Sequence, residues 1–334
     1  MRHSIALPIT ENSQVGDARR LASRLASECG CSETECGAVS VIATELGNNL
    51  VKYASDGQIV LRSLTDEPSA GVEILSLDSG PGFSDIAKRV ADGYSSSGTP
   101  GNGLGAVKRM SSEFDIYSAP GIGTAILSRV VPERSQVSRP TSFEFGVVSV
   151  PIVGEEKCGD SWAVFQDGSR ALFAVVDGLG HGIIAAEAGD EAVRVFHDHT
   201  SDSSIESIAR IHLALRSTRG AVMAIAEAQV NGTGVEYTGV GNISGAVFDG
   251  DTVQRMVSVN GTLGLAAKPR AFSYAWHPDG VLIMHSDGLQ NRWQLDKFPA
   301  LLRRHPSLVA GLLYQQYCRG RDDVTVLVAR RNQR

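Results

Sequence analysis

Apolar and polar positions alternate in two textures along the chain. After Ser32-Glu33-Thr34-Glu35, which reads as a capping box, Val39, Ile42, Leu46, Leu50 and Tyr53 recur at helical spacing and predict one long amphipathic helix. The runs Gln58 to Leu64 and Val72 to Asp78 predict strands, and Phe114 to Ser118 and Thr124 to Val131 flank a turn at Pro120-Gly121. The opening stretch therefore reads as helices with a mixed sheet. Further on, strands dominate: Trp162 to Phe165, Ala171 to Val176, Ala221 to Ala226, Gly245 to Phe248, Val281 to His285 and Val324 to Ala329. Turns at Gln166-Asp167-Gly168-Ser169 and Pro278-Asp279-Gly280 separate them, and helices are predicted over Ile183 to His199, Ser204 to Leu215 and Leu308 to Tyr317. This order fits an α+β layered sandwich. Between the textures, Val131-Pro132-Glu133-Arg134-Ser135-Gln136-Val137-Ser138-Arg139-Pro140 interrupts the apolar runs, which predicts domains at 1–131 and 142–334 joined by a linker at 132–141.

Composition narrows the function classes. A length of 334 residues exceeds what one core usually supports, and 42% hydrophobic with 20% charged residues is the usage of compact globular domains. The net charge of −6 and the lack of any Lys/Arg run longer than two exclude a direct nucleic-acid binder. The start, Met1-Arg2-His3-Ser4-Ile5, has no apolar leader and no stretch is long enough to span a bilayer, so the expected location is the cytoplasm, away from the membrane. Cys29, Cys31, Cys36, Cys158 and Cys318 lack paired spacing and are expected to be reduced thiols.

Chemistry enters at four places in the first domain. Glu45 and Asn49 stand four residues apart on the long helix and share a face, where a carboxylate and an amide oxygen suit Mg²⁺ and a polarised hydroxyl. Asp78-Ser79-Gly80-Pro81-Gly82 closes an apolar strand, and Gly98-Thr99-Pro100-Gly101-Asn102-Gly103-Leu104-Gly105 opens a helix whose N-terminal N–H groups favour phosphate. Singly, these are a solvated helix face and ordinary loops. Together, Glu45-x-x-x-Asn49, Asp78-x-Gly80-x-Gly82, Gly103-x-Gly105 and Gly121-x-Gly123-Thr124 resemble the nucleotide-binding boxes of the GHKL ATPase/kinase superfamily, in its RsbT-like anti-sigma-factor serine-kinase branch. That resemblance, covering residues 1–131, implies Glu45 as general base, Asn49 as Mg²⁺ ligand and Asp78 as the adenine-binding aspartate. It further implies Gly80, Gly82, Gly103, Leu104 and Gly105 as nucleotide loops, Thr124 beside the adenine, and Ala91 to Asn102 as a lid over ATP. A histidine kinase fits less well, because His3 is the only histidine in the first half and no phospho-acceptor helix pair precedes the boxes.

In the second domain Asp160, Asp177, Asp287 and Asp322 lie at predicted strand ends or in adjoining loops. An Asp-Gly pair alone is a turn, but carboxylates brought together by a fold are compensated by hard divalent cations. Gly159-Asp160, Val176-Asp177-Gly178-Leu179-Gly180-His181-Gly182, Gly241-Asn242, Ser286-Asp287-Gly288 and Asp322-Asp323-x-Thr325 together resemble the SpoIIE-type metal-dependent PPM phosphatases in their compact RsbX-like form. The resemblance implies a fold in which a GHKL α/β sandwich is followed by a PPM-type αββα sandwich. It implies two Mn²⁺ or Mg²⁺ ions held by Asp160, Asp177, the carbonyl of Gly178, Asp287 and Asp322, with Asp323 outside the ligand set. His181 is either a general acid or a loop-orienting residue, and the arginine that holds substrate phosphate in eukaryotic members has no counterpart after Glu155-Glu156-Lys157. The expected function is a bifunctional serine/threonine kinase and phosphatase acting on a STAS-domain anti-anti-sigma or stressosome-type protein. The alternative is a phosphatase regulated by a nucleotide-sensing GHKL module without kinase activity.

Overall fold

The computed structural model describes residues 3–65, 70–90, 103–133, 141–250 and 252–332, apart from the side chain of Lys88. Two compact units emerge: Met1–Arg139 with Gln294–Gln315, and Pro140–Trp293 with Gln316–Arg334. The first unit thus includes a stretch that sequence order assigns to the second domain. Among the described residues no helix is long and apolar enough to cross a membrane.

In the first unit, β1 (Ile5–Pro8), β2 (Gln58–Ser63), β3 (Val72–Asp78), β4 (Glu113–Ala119) and β5 (Gly123–Val130) form an antiparallel sheet in the order β1-β2-β3-β5-β4. Helices α1 (Asn12–Glu28) and α2 (Glu33–Tyr53) bury Val15, Ala22, Ile42, Leu46 and Leu50 against Ile59, Leu61 and Ile74 of the sheet. The start of α2 is the predicted capping box, with Ser32 accepting from the Glu35 N–H and Glu35 reaching back to the Ser32 N–H. Tyr53, expected on the apolar face, is 49% exposed, because it is the last residue of the helix and lies beyond Leu50, the helix's last buried position. The short helices α3 (Ile86–Val90) and α4 (Gly103–Met110) complete this layer.

The other face of the sheet carries charge that is nevertheless buried at Arg62, Glu73 and Arg129. Arg62, Glu73, Arg129 and Glu113 stand opposite one another in register across β2, β3, β5 and β4. Arg62 Nε donates to Glu73 (3.1 Å), and Arg129 donates to Glu73 (2.8 Å) and Glu113 (3.1 Å). Burial pushes the Glu73 carboxyl up, and the two guanidinia outweigh it, holding it well below the usual carboxylate range. What covers this row is Gln294–Gln315. Ser307 donates to Glu73 (2.7 Å) and accepts from Arg129 (3.0 Å), while Asp115 accepts from the His305 N–H (2.8 Å). Ser307 and His305 belong to α7 (Pro306–Tyr317) and the residue before it, and Leu75 and Leu77 of β3 lie against Gly311 of that helix.

The second unit stacks two sheets. One has the order β13-β10-β9-β8-β7, with β14 also pairing β10. Its strands are β7 (Asp160–Gln166), β8 (Arg170–Gly178), β9 (Ala221–Gln229), β10 (Gly234–Val240), β13 (Ser258–Val259) and β14 (Ala271–Ala275). The other runs β12-β11-β15-β16-β6, from β6 (Phe143–Val150), β11 (Ser244–Asp249), β12 (Thr252–Met256), β15 (Val281–His285) and β16 (Val324–Arg331). Phe143, Trp162, Phe173, Tyr237, Trp276 and Leu327 fill the space between them. The helices α5 (Ile183–Asp198) and α6 (Ser204–Ala214) cover the outer face of the first sheet through Val193, Phe196, Ile208 and Ile211. The continuous apolar run in β8 follows, since Phe173 and Val175 face one core and Leu172, Ala174 and Val176 the other.

Candidate functional site

Two clusters gather the candidate residues, one in each unit. In the first, Glu45 and Asn49 are half-buried on α2, which packs against α4. A Cβ built on Gly103 would lie 2.7 Å from Glu45 Oε2, so this carboxylate stands against the first residue of α4, next to Leu104 and the buried Gly105. Asp78, the last residue of β3, is opposite Thr124 of β5. Its Oδ1 accepts from the Gly80 N–H at 2.7 Å. Burial raises the Asp78 carboxyl, opposed by the backbone donors of Gly80 and Thr124. Gly82 has φ +61° and a Cβ there would come within 2.0 Å of the Ala119 carbonyl, so this turn admits only glycine. The proposed lid, Ala91 to Asn102, lies outside the described residues.

Sequence reasoning missed Ser118. Its hydroxyl accepts from the Phe83 N–H (2.9 Å), donates to the Gly123 carbonyl (3.0 Å) and sits 3.1 Å from the Thr124 hydroxyl. The hairpin register about Pro120-Gly121 pairs Ser118 with Thr124, and that register was the available signal.

In the second unit the strand ends converge. Asp160 opens β7 directly opposite Asp177 of β8, is 4% exposed, and accepts from the Ser286 hydroxyl at 2.6 Å. Burial raises the Asp160 carboxyl well above the ordinary range, with Asp177 adding to the effect. Asp177 is pushed up to about 7 by burial and by Asp287, Asp322 and Asp323. Burial and Asp322 also raise Asp287, whose Oδ2 accepts from Asn242 Nδ2 at 2.8 Å. Asp322 is exposed and accepts from the Asp323 N–H at 2.9 Å. Gly178, the end of β8, donates its N–H to the Gly159 carbonyl at 3.2 Å. Asp323 is engaged by backbone instead. Its two oxygens accept from the Ile152 and Gly159 N–H groups, each at 2.7 Å, which ties down the loop before β7.

His181 stands on the loop after Asp177, 61% exposed, with Nδ1 2.7 Å from Glu155 Oε1. A carboxylate only accepts, so the shared proton is on Nδ1 and Nε2 is left for other work. Sequence reasoning missed Glu155 as an orienting group, because its stretch of chain draws attention only as a place for a substrate-binding arginine.

Carboxylates that raise one another's pKa in a buried site are unfavourable unless a cation joins them. An all-oxygen donor set of this kind fits Mg²⁺ or Mn²⁺. The metal-ligand candidates Asp160, Asp177, Gly178, Asp287 and Asp322 therefore fit such ions, as Asn49 beside a half-buried glutamate fits Mg²⁺ with a nucleotide.

Residues 9–128 match the family described as histidine kinase-like ATPase domain, and residues 167–332 match stage II sporulation protein E (SpoIIE). The chain is similar to the serine/threonine-protein kinase RsbT of Bacillus subtilis (strain 168), with 38% identity over 109 residues, 33% of this chain and 82% of the relative. It is also similar to the phosphoserine phosphatase RsbX of the same organism, with 25% identity over 138 residues, 41% of this chain and 69% of the relative. A solved structure from work on the bacterial stressosome, a modular system adapted to control secondary messenger signalling, aligns with TM-score 0.53 and 27% identity, covering 56% of this chain and 99% of that one.

Proposed function

Because the chain belongs through its first unit to the histidine kinase-like ATPase family and carries a SpoIIE-type phosphatase domain after it, we propose that it is a cytoplasmic two-activity enzyme of bacterial partner switching. It adds phosphate from ATP to a serine or threonine of a STAS-domain protein and removes it again by metal-dependent hydrolysis. The observation that carries the hydrolytic half is the convergence of Asp160, Asp177, Asp287 and Asp322, with Asp177 pushed up to about 7 by its neighbours. Asp160, Asp177, the carbonyl of Gly178, Asp287 and Asp322 would hold two Mn²⁺ or Mg²⁺ ions, which would supply an activated water and charge neutralisation for the phosphoryl group. Asn242 fixes Asp287, Ser286 fixes Asp160, and Asp323 anchors the loop that bears Asp160. Glu155 accepts from Nδ1–H of His181, and in the doubly protonated form of the ring Nε2–H gives its proton to the departing serine or threonine oxygen, leaving the Nδ1–H imidazole.

In the first unit, Asp78 accepts from the exocyclic amine of adenine while Thr124 and Ser118 line its side of the base. Asn49 would hold the Mg²⁺ of ATP. Glu45, held against the start of α4, takes the proton from the acceptor hydroxyl.

The full chain incubated with Mg²⁺-ATP and each candidate STAS-domain protein tests this reading. Phosphate should appear on a serine or threonine of one of them, fail to appear with Glu45→Ala, and leave again when Mn²⁺ is added. Nucleotide that changes hydrolysis without any transfer to protein would instead make the first unit a sensor.

A further inference from the structure

A pocket of about 390 Å³ opens beside two of the metal-site carboxylates, lined by Asp287, Gln290, Cys318, Arg319, Arg321 and Asp322. This is the small end of the range for ligand sites, about 300–1,000 Å³. Its walls are fixed by backbone. The Arg319 N–H donates to the Gly288 carbonyl (2.9 Å), the Gln290 N–H donates to the Tyr317 carbonyl (3.0 Å), and Leu289 bridges Cys318. The segments that leave Asp287 and approach Asp322 are thereby laced together, and Arg319 is held close to Asp287.

Neither Arg319 nor Arg321 makes a side-chain hydrogen bond or ion pair among the described residues. Some arginines of this unit are paired, Arg170 with Glu227, Arg194 with Glu191 and Arg330 with Glu144, while Arg216, Arg270 and Arg292 show no such pair among the described residues, so what sets Arg319 and Arg321 apart is their place in the wall of this pocket. Guanidinia that served only to balance Asp287 and Asp322 would be paired with them. These two are left facing open space beside a site built for cations, where a dianion held by those cations would meet them.

We propose that this pocket receives the phosphoryl group of the phosphoserine or phosphothreonine substrate, with Arg319 the principal donor to its oxygens and Arg321 a second. The inference rests on the metal-dependent phosphatase reading above, and it supplies the anion-binding arginine that the sequence lacks after Glu155-Glu156-Lys157. The planar, multi-donor guanidinium matches phosphoryl oxygens better than the point charge of a lysine. Arg219 is the rival. A Cβ on Gly180 would lie 3.2 Å from its Nη1, so it flanks the loop after Asp177, but it does not line this pocket.

The test is steady-state hydrolysis of p-nitrophenyl phosphate by the full chain in Mn²⁺, with inorganic phosphate as inhibitor. Arg319→Ala should raise KM and the phosphate inhibition constant together by about ten- to a hundredfold, the loss of a charged hydrogen bond, with a much smaller change in kcat. Arg319→Lys should recover part of the loss, Arg321→Ala should show a smaller rise in both constants, and Arg219→Ala should leave both unchanged. Unaltered constants in the Arg319→Ala/Arg321→Ala double variant, or the loss appearing in Arg219→Ala, would overturn the assignment. Should Arg319→Ala not fold, Arg319→Lys and Arg321→Ala decide by the same parallel rise or its absence. Wild-type protein without Mn²⁺-dependent turnover would remove the phosphatase reading and this pocket with it. Turnover that Asp177→Asn abolishes but the arginine variants leave alone would remove the pocket only.

Discussion

At the end of β3 one carboxylate, Asp78, sits among backbone donors and close-fitting glycines, whereas at the ends of β7, β8 and β15 carboxylates face each other. The first site is specified by shape: Asp78, Ser118 and Thr124 already have partners, and what it reserves is room for backbone to approach a ligand. The second is specified by unbalanced charge: burial first, and then neighbouring carboxylates, raise Asp160, Asp177 and Asp287. The contrast teaches that a nucleotide site can be damaged by adding a methyl group, while a metal site is damaged by removing a charge and is strained without its ions.

The largest expected effect is on the charged site. Asp177→Asn should lower Mn²⁺-dependent turnover by at least about a thousandfold, the scale of several kcal/mol of lost charge stabilisation. In chelator the same variant should melt at a higher temperature than wild type. The sign follows from linkage: Asp177 sits at about 7 in the folded chain against an ordinary 3.8. Its contribution to stability is therefore complete below about pH 4 and is lost as the pH rises through about 7. Thermal melts of metal-free protein across that window should show wild type falling more steeply than the variant, and Mn²⁺ should remove the difference. An unchanged profile would mean that the carboxylates do not repel as described.

Next comes the shaped site. A Cβ at Gly80 would meet Asp78 Oδ1 at 2.7 Å and the Tyr53 carbonyl at 2.9 Å. Gly80→Ala should weaken ATP binding by about ten- to a hundredfold, the cost of overpacking by roughly 1–3 kcal/mol, and leave kcat for p-nitrophenyl phosphate as it was. Titration with a fluorescent ATP analogue would read the first number. Unweakened binding would show that backbone fit does not define the site.

The smallest effect asks where the first unit ends. Ser307→Ala removes the hydroxyl shared by Glu73 and Arg129 and should cost about 1–3 kcal/mol. The loss should appear in whichever melting transition ATP shifts. A loss confined to the transition that Mn²⁺ shifts would mean that Gln294–Gln315 does not complete the ATP-binding unit.

Much of both sites could be read from the chain because their residues cluster in short motifs at the ends of apolar runs. Asp78, Thr124, Asp177 and Asp287 stand at or beside the strand ends where the pattern put them. The groups that were not legible act across long separations. Glu155 meets His181 over 26 residues, and Asp323 reaches the Gly159 N–H over 164. The helix α1 also went unread, since its buried positions are mostly alanines that carry little periodic signal. Arg62, Glu73 and Arg129 look like the solvent face of an alternating sheet. They are buried because another piece of chain covers them, and nothing in β2, β3 or β5 announces that cover. The covering helix was itself predicted, and its apolar residues on every side require burial, but composition does not say against what.

That cover also sets a timetable. Ser307 and Glu73 are 234 residues apart in sequence, so as the chain emerges from the ribosome the charged row across β2, β3, β5 and β4 waits for residues made long after it. Domains usually fold as units from the N-terminus during synthesis, and here the leading unit lacks part of itself until most of the following one has been made. The missing piece lies between Asp287 and Asp322, so a nascent chain long enough to finish the first unit has already brought Asp160, Asp177 and Asp287 into existence. Neither unit is complete long before the other.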